Sequence, residues 1–136
     1  MAASELKGIN KEVLASLMRS LEALESSTDL EGTAIVSKTG LRIASSETSD
    51  VVADIYSASP ATLISLGRKI SDGLKQGELK DITIRGTKGY TIIVVSKKGD
   101  FMLFTNCPKY YKLAYYLHKV RKAFRIMQPL LDKLET

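Results

Sequence analysis

Cys107 and His118 are the two residues in this sequence that could form a nucleophile and its base. A thiol beside an imidazole can act as an activated nucleophile. However, Cys107 falls at the end of a predicted strand and His118 at the border of a helical apolar stripe, and these positions explain both residues without catalysis. A zinc site needs three or four protein ligands, mostly Cys and His, and the chain has one of each. We therefore expect no catalytic residues and no metal site.

Phosphate-binding loops are missing from the sequence. Neither the G-x-x-x-x-G-K-[ST] loop of nucleotide hydrolases nor the G-x-G-x-x-G turn of dinucleotide-binding proteins occurs. Gly86, Gly89 and Gly99 lie in short stretches between predicted strands and are expected in hairpin turns. The protein is therefore predicted to bind no nucleotide directly, to need no cofactor and not to be an enzyme.

The positive charge of the chain is concentrated at its C-terminal end. The net charge is +5, and residues 1–106 hold 13 basic and 13 acidic residues, whereas residues 107–136 hold 7 basic and 2 acidic residues. The last predicted helix carries a basic patch of Lys112, Lys119, Lys122 and Arg125. The simplest interpretation of this patch is a solvated helix face.

Two other interpretations of the basic patch are open. It would also suit an acidic protein surface or the headgroups of an anionic membrane. Nucleic acid is a third partner, for which four nearby tyrosines would be stacking groups: Tyr110, Tyr111, Tyr115 and Tyr116. Because these tyrosines adjoin the apolar stripe of the helix and are explained by packing, nucleic acid is the least favoured partner.

Hydrophobic periodicity predicts eight elements in the order α-β-β-α-β-β-β-α. Helices begin at Asn10 and Pro108, the central helix spans 49–76, and the strands are 33–37, 41–46, 79–85, 90–96 and 101–106. The last two strands are almost continuously apolar, which is typical of the middle of a sheet, whereas the third strand alternates as an edge strand does. We predict an α+β fold with three α-β-α layers. The central helix covers one face of a five-stranded antiparallel sheet, and the terminal helices cover the other.

The central helix has two kinds of face. Apolar residues recur at steps of three and four and are predicted to pack on the sheet: Val52, Tyr56, Leu63, Leu66, Ile70 and Leu74. A flanking face carries the small residues Ala58, Thr62 and Ser65, and Gly67 lies in the helix interior, where glycine costs about 1 kcal/mol relative to alanine. We predict that this region packs against the same helix of a second copy. A single amphipathic helix with a tolerated glycine is the alternative.

Pro60 affects the continuity of the central helix. Inside a helix, proline removes one hydrogen bond and clashes with the preceding turn. The segment is therefore either one helix kinked near Ser57 or two helices, the second running from Pro60 to Lys75. Gly77 is predicted to end it.

One domain is expected for residues 1–136, with frayed ends at 1–8 and 132–136. No apolar run approaches the roughly 20 residues of a membrane-spanning helix. The N-terminus lacks the apolar core of a signal peptide, and one cysteine cannot form an internal disulfide. We therefore expect a cytoplasmic protein.

The order of elements and three stretches of sequence resemble the Roadblock family of dynein light chains and GTPase regulators. These stretches are the hairpin at 32–45, the long helix after Asp50, and Gly77-Glu78-Leu79 leading into Ile82-Thr83-Ile84. The resemblance extends from about Asn10 to Leu131, and Pro60 departs from it. It implies the sheet order 2-1-5-4-3 and a homodimer that joins third strands edge to edge and pairs the central helices.

The same resemblance implies a scaffold or regulator of small Ras-like GTPases. In some members this role is performed on motor or membrane-bound complexes, so any peripheral membrane association would come through a complex. The expected GTPase-binding surface is the exposed side of the paired central helices, with Thr62, Ser65, Arg68, Lys69 and Asp72. The alternative function is a basic module that binds nucleic acid or an anionic membrane through the C-terminal helix.

The third strand can be read against itself in a two-fold antiparallel pair. An axis at Thr83 places Asp81 opposite Arg85 of the second copy and Ile82 opposite Ile84, so every cross-strand pair is favourable. A lone edge strand is the alternative without the resemblance. The predicted dimer interface therefore comprises Ala58, Thr62, Ser65, Gly67, Asp81, Ile82, Thr83, Ile84 and Arg85.

Overall fold

The computed structural model describes residues 10–46, 55 and 58–134. It contains three helices and five strands in the predicted order. The helices are α1 (Lys11–Thr28), α2 (Ala58–Gly73) and α3 (Leu113–Leu134). The strands are β1 (Gly32–Ser37), β2 (Arg42–Ser45), β3 (Asp81–Arg85), β4 (Gly89–Val95) and β5 (Phe101–Pro108).

The strands form one antiparallel sheet in the order β2-β1-β5-β4-β3. β5 is central, and its Leu103 lies opposite Ile35 of β1 on one side and Val94 of β4 on the other. Seven of the eight residues of β5 are buried, as expected for a strand covered on both faces. β3 lies at one edge of the sheet. The predicted fold class and sheet order are confirmed.

The sheet separates two hydrophobic cores of unequal size. The larger core lies between the sheet and the α1 and α3 helices and includes Leu17, Leu103 and Val120. The smaller core lies between the opposite face and α2 and includes Met102, Phe104, Ile64, Ala34, Val36 and Ile93. Because neighbouring residues of a strand point to opposite faces, β5 supplies Leu103 to the first core and Met102 and Phe104 to the second.

The ends of α1 and α3 follow from their capping residues and neighbours. Asn10 caps α1, and its side chain accepts a hydrogen bond from the amide of Glu12 at 2.7 Å. The prediction that the last helix begins at Pro108 is wrong, because Pro108 continues β5 opposite Gly89 and α3 begins at Leu113. Pro129 lies inside α3 without ending it.

The terminal segments expected to fray are described in part. Residues 132–134 continue α3, whereas 1–8 and 135–136 lie outside the described residues. That residues 1–136 form one domain stays a prediction.

α2 begins at Ala58, and Pro60 is buried in its first turn, where a proline disturbs no intrahelical hydrogen bond. The helix thus begins two residues before this proline, and both alternatives for the segment that precedes it stay predictions. Residues 49–54 and 56–57 of the predicted central helix lie outside the described residues. The helix ends at Gly73, earlier than predicted, and Lys75 then adopts a left-handed conformation with φ of 55°.

Candidate interaction surface

The outward face of α2 carries the apolar stripe that was predicted to pack on the sheet. Leu66 is 52% exposed and Ile70 60%, and Leu74, which directly follows the helix, is 64% exposed. The residues buried against the sheet are instead Pro60, Ile64 and Ser71. The prediction is therefore wrong for Leu66, Ile70 and Leu74, although Leu63 packs partly against the smaller core. Val52 and Tyr56 lie outside the described residues.

Gly67 faces the edge strand of its own chain. A Cβ atom at this position would lie 2.8 Å from Cδ1 of Ile82 and 3.1 Å from Cδ2 of Leu79. Glycine therefore lets α2 approach β3 closely within one protomer. This is a different physical reason for Gly67 from the predicted crossing of two central helices, because its missing side chain points toward the sheet.

The small residues predicted at the dimer interface do lie together on the surface of α2. Ala58, Thr62 and Ser65 are exposed, and the Thr62 hydroxyl donates a hydrogen bond to the carbonyl of Ala58 at 3.1 Å. With Leu66 they line a shallow depression of about 340 Å³ next to the turn between β1 and β2 at Gly40. An apolar side chain of a partner would fit against this depression.

Arg68 has a structural role that the sequence did not reveal. Its Nη2 donates a hydrogen bond to the carbonyl of Gly99 at 2.6 Å and so fixes α2 to the turn between β4 and β5. Arg68 is half-buried, whereas Lys69 and Asp72 are exposed. Of the charged residues predicted to bind a partner, Arg68 is thus bonded within the protomer, whereas Lys69 and Asp72 face solvent.

β3 presents an edge next to the apolar face of α2. Alternation along a strand places Ile82 and Ile84 on the same face of the sheet. Ile82 packs with the core under α2, and Ile84 is 47% exposed. In the described part of the chain, β3 pairs with β4 and leaves its outer edge uncovered. An uncovered strand edge and exposed aliphatic side chains together form a surface for protein association.

Asp81, at the start of β3, is bonded to a residue of α3, on the face of the sheet opposite α2. Arg121 of α3 makes a salt bridge with it, with Nη2 2.7 Å from Oδ2. The side chain of Asp81 is mostly buried. The sequence did not reveal this pair, because Arg121 is one of seven basic residues in 107–136 and Asp81 was predicted to lie opposite Arg85 of a second copy.

The residues of the basic patch divide between two parts of the surface. Lys119 and Lys122 line a groove between α1 and α3. Lys112 and Arg125 are exposed and do not line that groove. Of the tyrosines considered for stacking, Tyr116 is buried in the larger core, while Tyr111 donates a hydrogen bond to Asp29 at 2.9 Å. Packing thus accounts for Tyr116, and Tyr110 remains exposed.

Cys107 and His118 are not arranged as a nucleophile and base. Cys107 is buried in the larger core, where burial raises the pKa of its thiol to about 11. His118 lies on the exposed side of α3. In 10–46, 55 and 58–134, no three His, Cys, Asp or Glu side chains are grouped as a metal site requires. None of the helices in those ranges has the length and apolar character needed to cross a membrane.

Comparison with solved structures finds the same fold in bacterial proteins. MglB from Myxococcus xanthus is similar, with a TM-score of 0.78 and 13% identity over 86% of this chain and 95% of that one. The gliding protein MglB from Thermus thermophilus gives a TM-score of 0.82 and 10% identity over 92% of this chain and 95% of that one. An MglB structure with a tetrameric arrangement gives 0.82 and 10% over 93% and 95%. At these identities, the likeness shows the fold alone.

Comparison of the sequence with family models is more specific. A search of curated proteins gives no match. The model of the Roadblock/LC7 domain matches residues 17–105, which include α2 and most of the sheet. The chain therefore belongs to the Roadblock/LC7 domain family.

Proposed function

We propose that the protein is a non-enzymatic homodimer that scaffolds or regulates a small Ras-like GTPase in the cytoplasm. The observation that carries this proposal is a row of exposed aliphatic side chains, Leu66 and Ile70 on α2 and Leu74 directly after it, on a helix that packs against the edge strand β3 at Gly67. Family membership supports a GTPase as the partner, since the Roadblock proteins that the sequence resembles include regulators and scaffolds of such GTPases.

Self-association would use the edge of β3 and the adjacent side of α2. Pairing two copies of β3 gives its unpaired backbone groups hydrogen-bond partners. Burying the exposed half of each aliphatic side chain contributes roughly 1 kcal/mol. Two copies of Leu66, Ile70 and Ile84 would together contribute roughly 6 kcal/mol, which offsets part of the free-energy cost of association. The tetrameric arrangement of an MglB structure supports self-association of this fold.

The GTPase would bind the exposed part of α2 that the dimer contact leaves open. Lys69 and Asp72 are exposed there, and Thr62 and Ser65 line the neighbouring depression. Short side chains and one charge of each sign suit a protein surface with mixed polarity. Arg68 is left out of this surface because it is bonded to Gly99.

A non-enzymatic role is supported by the chemistry of the described side chains. The thiol of Cys107 is neutral at physiological pH because of its raised pKa, and it lies in the core. The sequence has no phosphate-binding loop. Calorimetry with GTP, ATP and their diphosphates should therefore give no heat beyond dilution, and micromolar binding of any of them would contradict this part of the proposal.

The dimer is tested by making the same type of substitution, Ile→Glu, on α2 and separately on α3. Ile70→Glu introduces a charge into the proposed contact, and Ile126→Glu introduces the same charge on α3 at a similar exposure, 68% against 60%. Sedimentation equilibrium should give a monomer for Ile70→Glu and a dimer for Ile126→Glu, with unchanged circular dichroism. A monomeric wild-type protein, or equal dimers from both variants, would refute the α2 contact.

The GTPase is tested by capture from the native cell extract. Immobilised protein is exposed to extract loaded with a non-hydrolysable GTP analogue or with GDP, and the bound proteins are identified by mass spectrometry. We expect a Ras-like GTPase whose capture depends on the nucleotide and is reduced by Asp72→Arg, since Asp72 is exposed and lies outside the predicted dimer interface. Capture of no GTPase in either state contradicts the proposal.

Salt dependence separates this function from the alternative basic module. A complex driven by the phosphates of nucleic acid or lipid weakens by orders of magnitude between low and moderate salt. A GTPase complex should respond mainly to the nucleotide state.

A further inference from the structure

A groove of about 390 Å³ lies between α1 and α3, on the face of the sheet opposite α2. Its floor is apolar, since Leu24 and Met127 belong to the larger core and Ala123 packs against it. The α1 wall consists of the short side chains Ser20, Ala23, Ser27 and Thr28. Because these side chains are small, the two helices leave an opening above the core instead of filling it.

The hydroxyl groups on the α1 wall are already hydrogen-bonded within their own helix. Ser20 donates to the carbonyl of Ser16 at 3.0 Å, and Ser27 donates to that of Leu24 at 3.2 Å. Thr28 donates to the same carbonyl of Leu24. These hydroxyl donors therefore need no acceptor from a ligand. An apolar side chain can pack against the α1 wall without leaving them unpaired.

The α3 wall is apolar and positively charged. Ile126 projects from it and is 68% exposed. Lys119 and Lys122 line the same wall, and Nζ of Lys119 lies 5.7 Å from the centre of the Tyr115 ring. Within the described ranges no carboxylate lies within 4.0 Å of either ammonium group. Across the whole of α3 there are five Lys or Arg residues and one acidic residue, Asp132. The ammonium groups at the rim therefore lack an anionic partner among the described side chains.

We propose that this groove docks an acidic amphipathic helix of a partner protein. One apolar face of that helix would enter between α1 and α3 and contact Leu24, Ala123 and Ile126. Its Glu or Asp residues would lie over Lys119 and Lys122. A helix laid in an apolar groove is a common mode of peptide recognition, and the basic rim selects the sign of the peptide's charge.

The shape of the site favours a peptide over a membrane or a nucleic acid. A flat bilayer reaches the rim of a groove and not its floor, and phosphate groups gain nothing from an apolar floor. The docking site is also independent of the proposed function. α2 covers the other face of the sheet and β3 forms one of its edges. The groove and the proposed dimer surface can therefore be occupied at the same time.

The test uses a synthetic peptide of roughly 18 residues, long enough to form a helix, with Leu on one face and Glu on the others. A matched peptide has Gln in place of Glu. Binding to the full chain is measured by fluorescence anisotropy, and the site is mapped by amide chemical-shift changes in the isotope-labelled protein. We expect shifts at Ser20, Ala23 and Ala123, and about tenfold weaker binding of the Gln peptide.

Two charge-reversal variants of the basic patch distinguish binding at the groove from general electrostatic attraction. Lys119→Glu/Lys122→Glu changes the rim, whereas Lys112→Glu/Arg125→Glu makes the same change in charge away from it. Ala23→Trp, at an exposed position, fills the groove without altering charge. The acidic peptide should bind at least about tenfold more weakly to the rim variant and to Ala23→Trp, and almost normally to the other.

Several outcomes would overturn the proposal. One is equal weakening by both charge-reversal pairs, which indicates a diffuse electrostatic attraction. Another is the absence of shifts along the groove at millimolar peptide. A third is binding of vesicles containing phosphatidylserine that competes with the peptide and is insensitive to Ala23→Trp, which would assign the surface to a membrane.

Discussion

Arg121 of α3 donates two hydrogen bonds to Oδ2 of Asp81 at the start of β3, from Nε at 3.0 Å and from Nη2 at 2.7 Å. The pair connects the helix layer to the edge strand that is proposed to join two protomers. In the register about Thr83, Arg85 of the second copy would approach the same carboxylate. Arg121 and the second copy's arginine would then share the carboxylate of Asp81. Pairing of the β3 edge would therefore alter the salt bridge between α3 and β3.

The first prediction is that a charge swap across the dimer axis depends on Arg121. Asp81→Arg places two cations side by side within one protomer, so Asp81→Arg/Arg85→Asp should recover little of the dimer that the single variants lose. In an Arg121→Gln background the double variant should recover most of it, at roughly 0.2–1 kcal/mol for each of the two pairs. Sedimentation equilibrium measures both series. If the double variant equals the sum of the singles in both backgrounds, the register is wrong.

The second prediction concerns the approach of α2 to β3 at Gly67. Gly67→Leu should destabilise the protomer by roughly 1–3 kcal/mol, because the new side chain must displace Ile82. Gly67→Ala gains about 1 kcal/mol of helix propensity and loses it to the same contact. Ile82→Val removes Cδ1, the atom that a Cβ would meet at 2.8 Å.

Urea unfolding of a double-mutant cycle measures this effect. Gly67→Ala should be more favourable in the Ile82→Val protein than in the wild type, by up to about 1 kcal/mol, because only the contact with Leu79 at 3.1 Å then remains. A Gly67→Leu protein that keeps the stability of its monomer but loses its dimer would show instead that the glycine lies at a contact between helices.

The third prediction is that Arg68 stabilises the protomer and Lys69 does not. Arg68→Ala removes a hydrogen bond from a charged donor and leaves the carbonyl of Gly99 without it, so unfolding should become easier by roughly 1–2 kcal/mol. Lys69→Ala, one position along the exposed side of α2, is the matched control and should change stability by less than about 0.5 kcal/mol. Thermal unfolding followed by circular dichroism compares the two. Equal stabilities would mean that the bond to Gly99 contributes nothing.

The fourth prediction is a loss of stability at alkaline pH caused by Cys107. Burial raises the pKa of its thiol from 9.0 to about 11. Between these values the unfolded chain has released this proton and the folded protein still holds it. The stabilisation by Cys107 is therefore complete below pH 9 and is lost as the pH rises toward 11.

Cys107→Ala isolates this effect, because every other titrating group is common to both proteins. The difference in unfolding free energy between wild type and Cys107→Ala should fall by on the order of 1–2 kcal/mol from about pH 8 to about pH 10.5. A constant difference over this range would show that the thiol titrates normally in the folded state.

Periodicity was sufficient to predict the strands and which of them are covered on both faces. β5 and β4 are apolar at successive positions because both faces of the sheet are covered, and that pattern is visible without a structure. The resemblance to Roadblock proteins added the sheet order, which local pattern does not contain. The start of the last helix was predicted wrongly at Pro108, because proline suits both the end of a strand and the start of a helix.

The candidate surface was harder to predict because periodicity tells which residues share a face and not where that face points. In α2 the aliphatic stripe of Leu66 and Ile70 faces outward, and Gly67 and Ser71 occupy the sheet side, where the close approach to β3 leaves little room. The bonds from Arg121 to Asp81 and from Arg68 to Gly99 join distant parts of the chain. Nothing in the local sequence around these residues indicates their partners.

The outward stripe of α2 also bears on how long a newly made protomer survives in a cell. Until Leu66, Ile70 and the following Leu74 are covered, they offer chaperones and proteases an exposed aliphatic surface of the kind that those proteins recognise in incompletely folded chains. Copies made in excess of their binding partners would be removed. The cellular amount of the protein would then follow the supply of its partners more closely than the rate of its own synthesis.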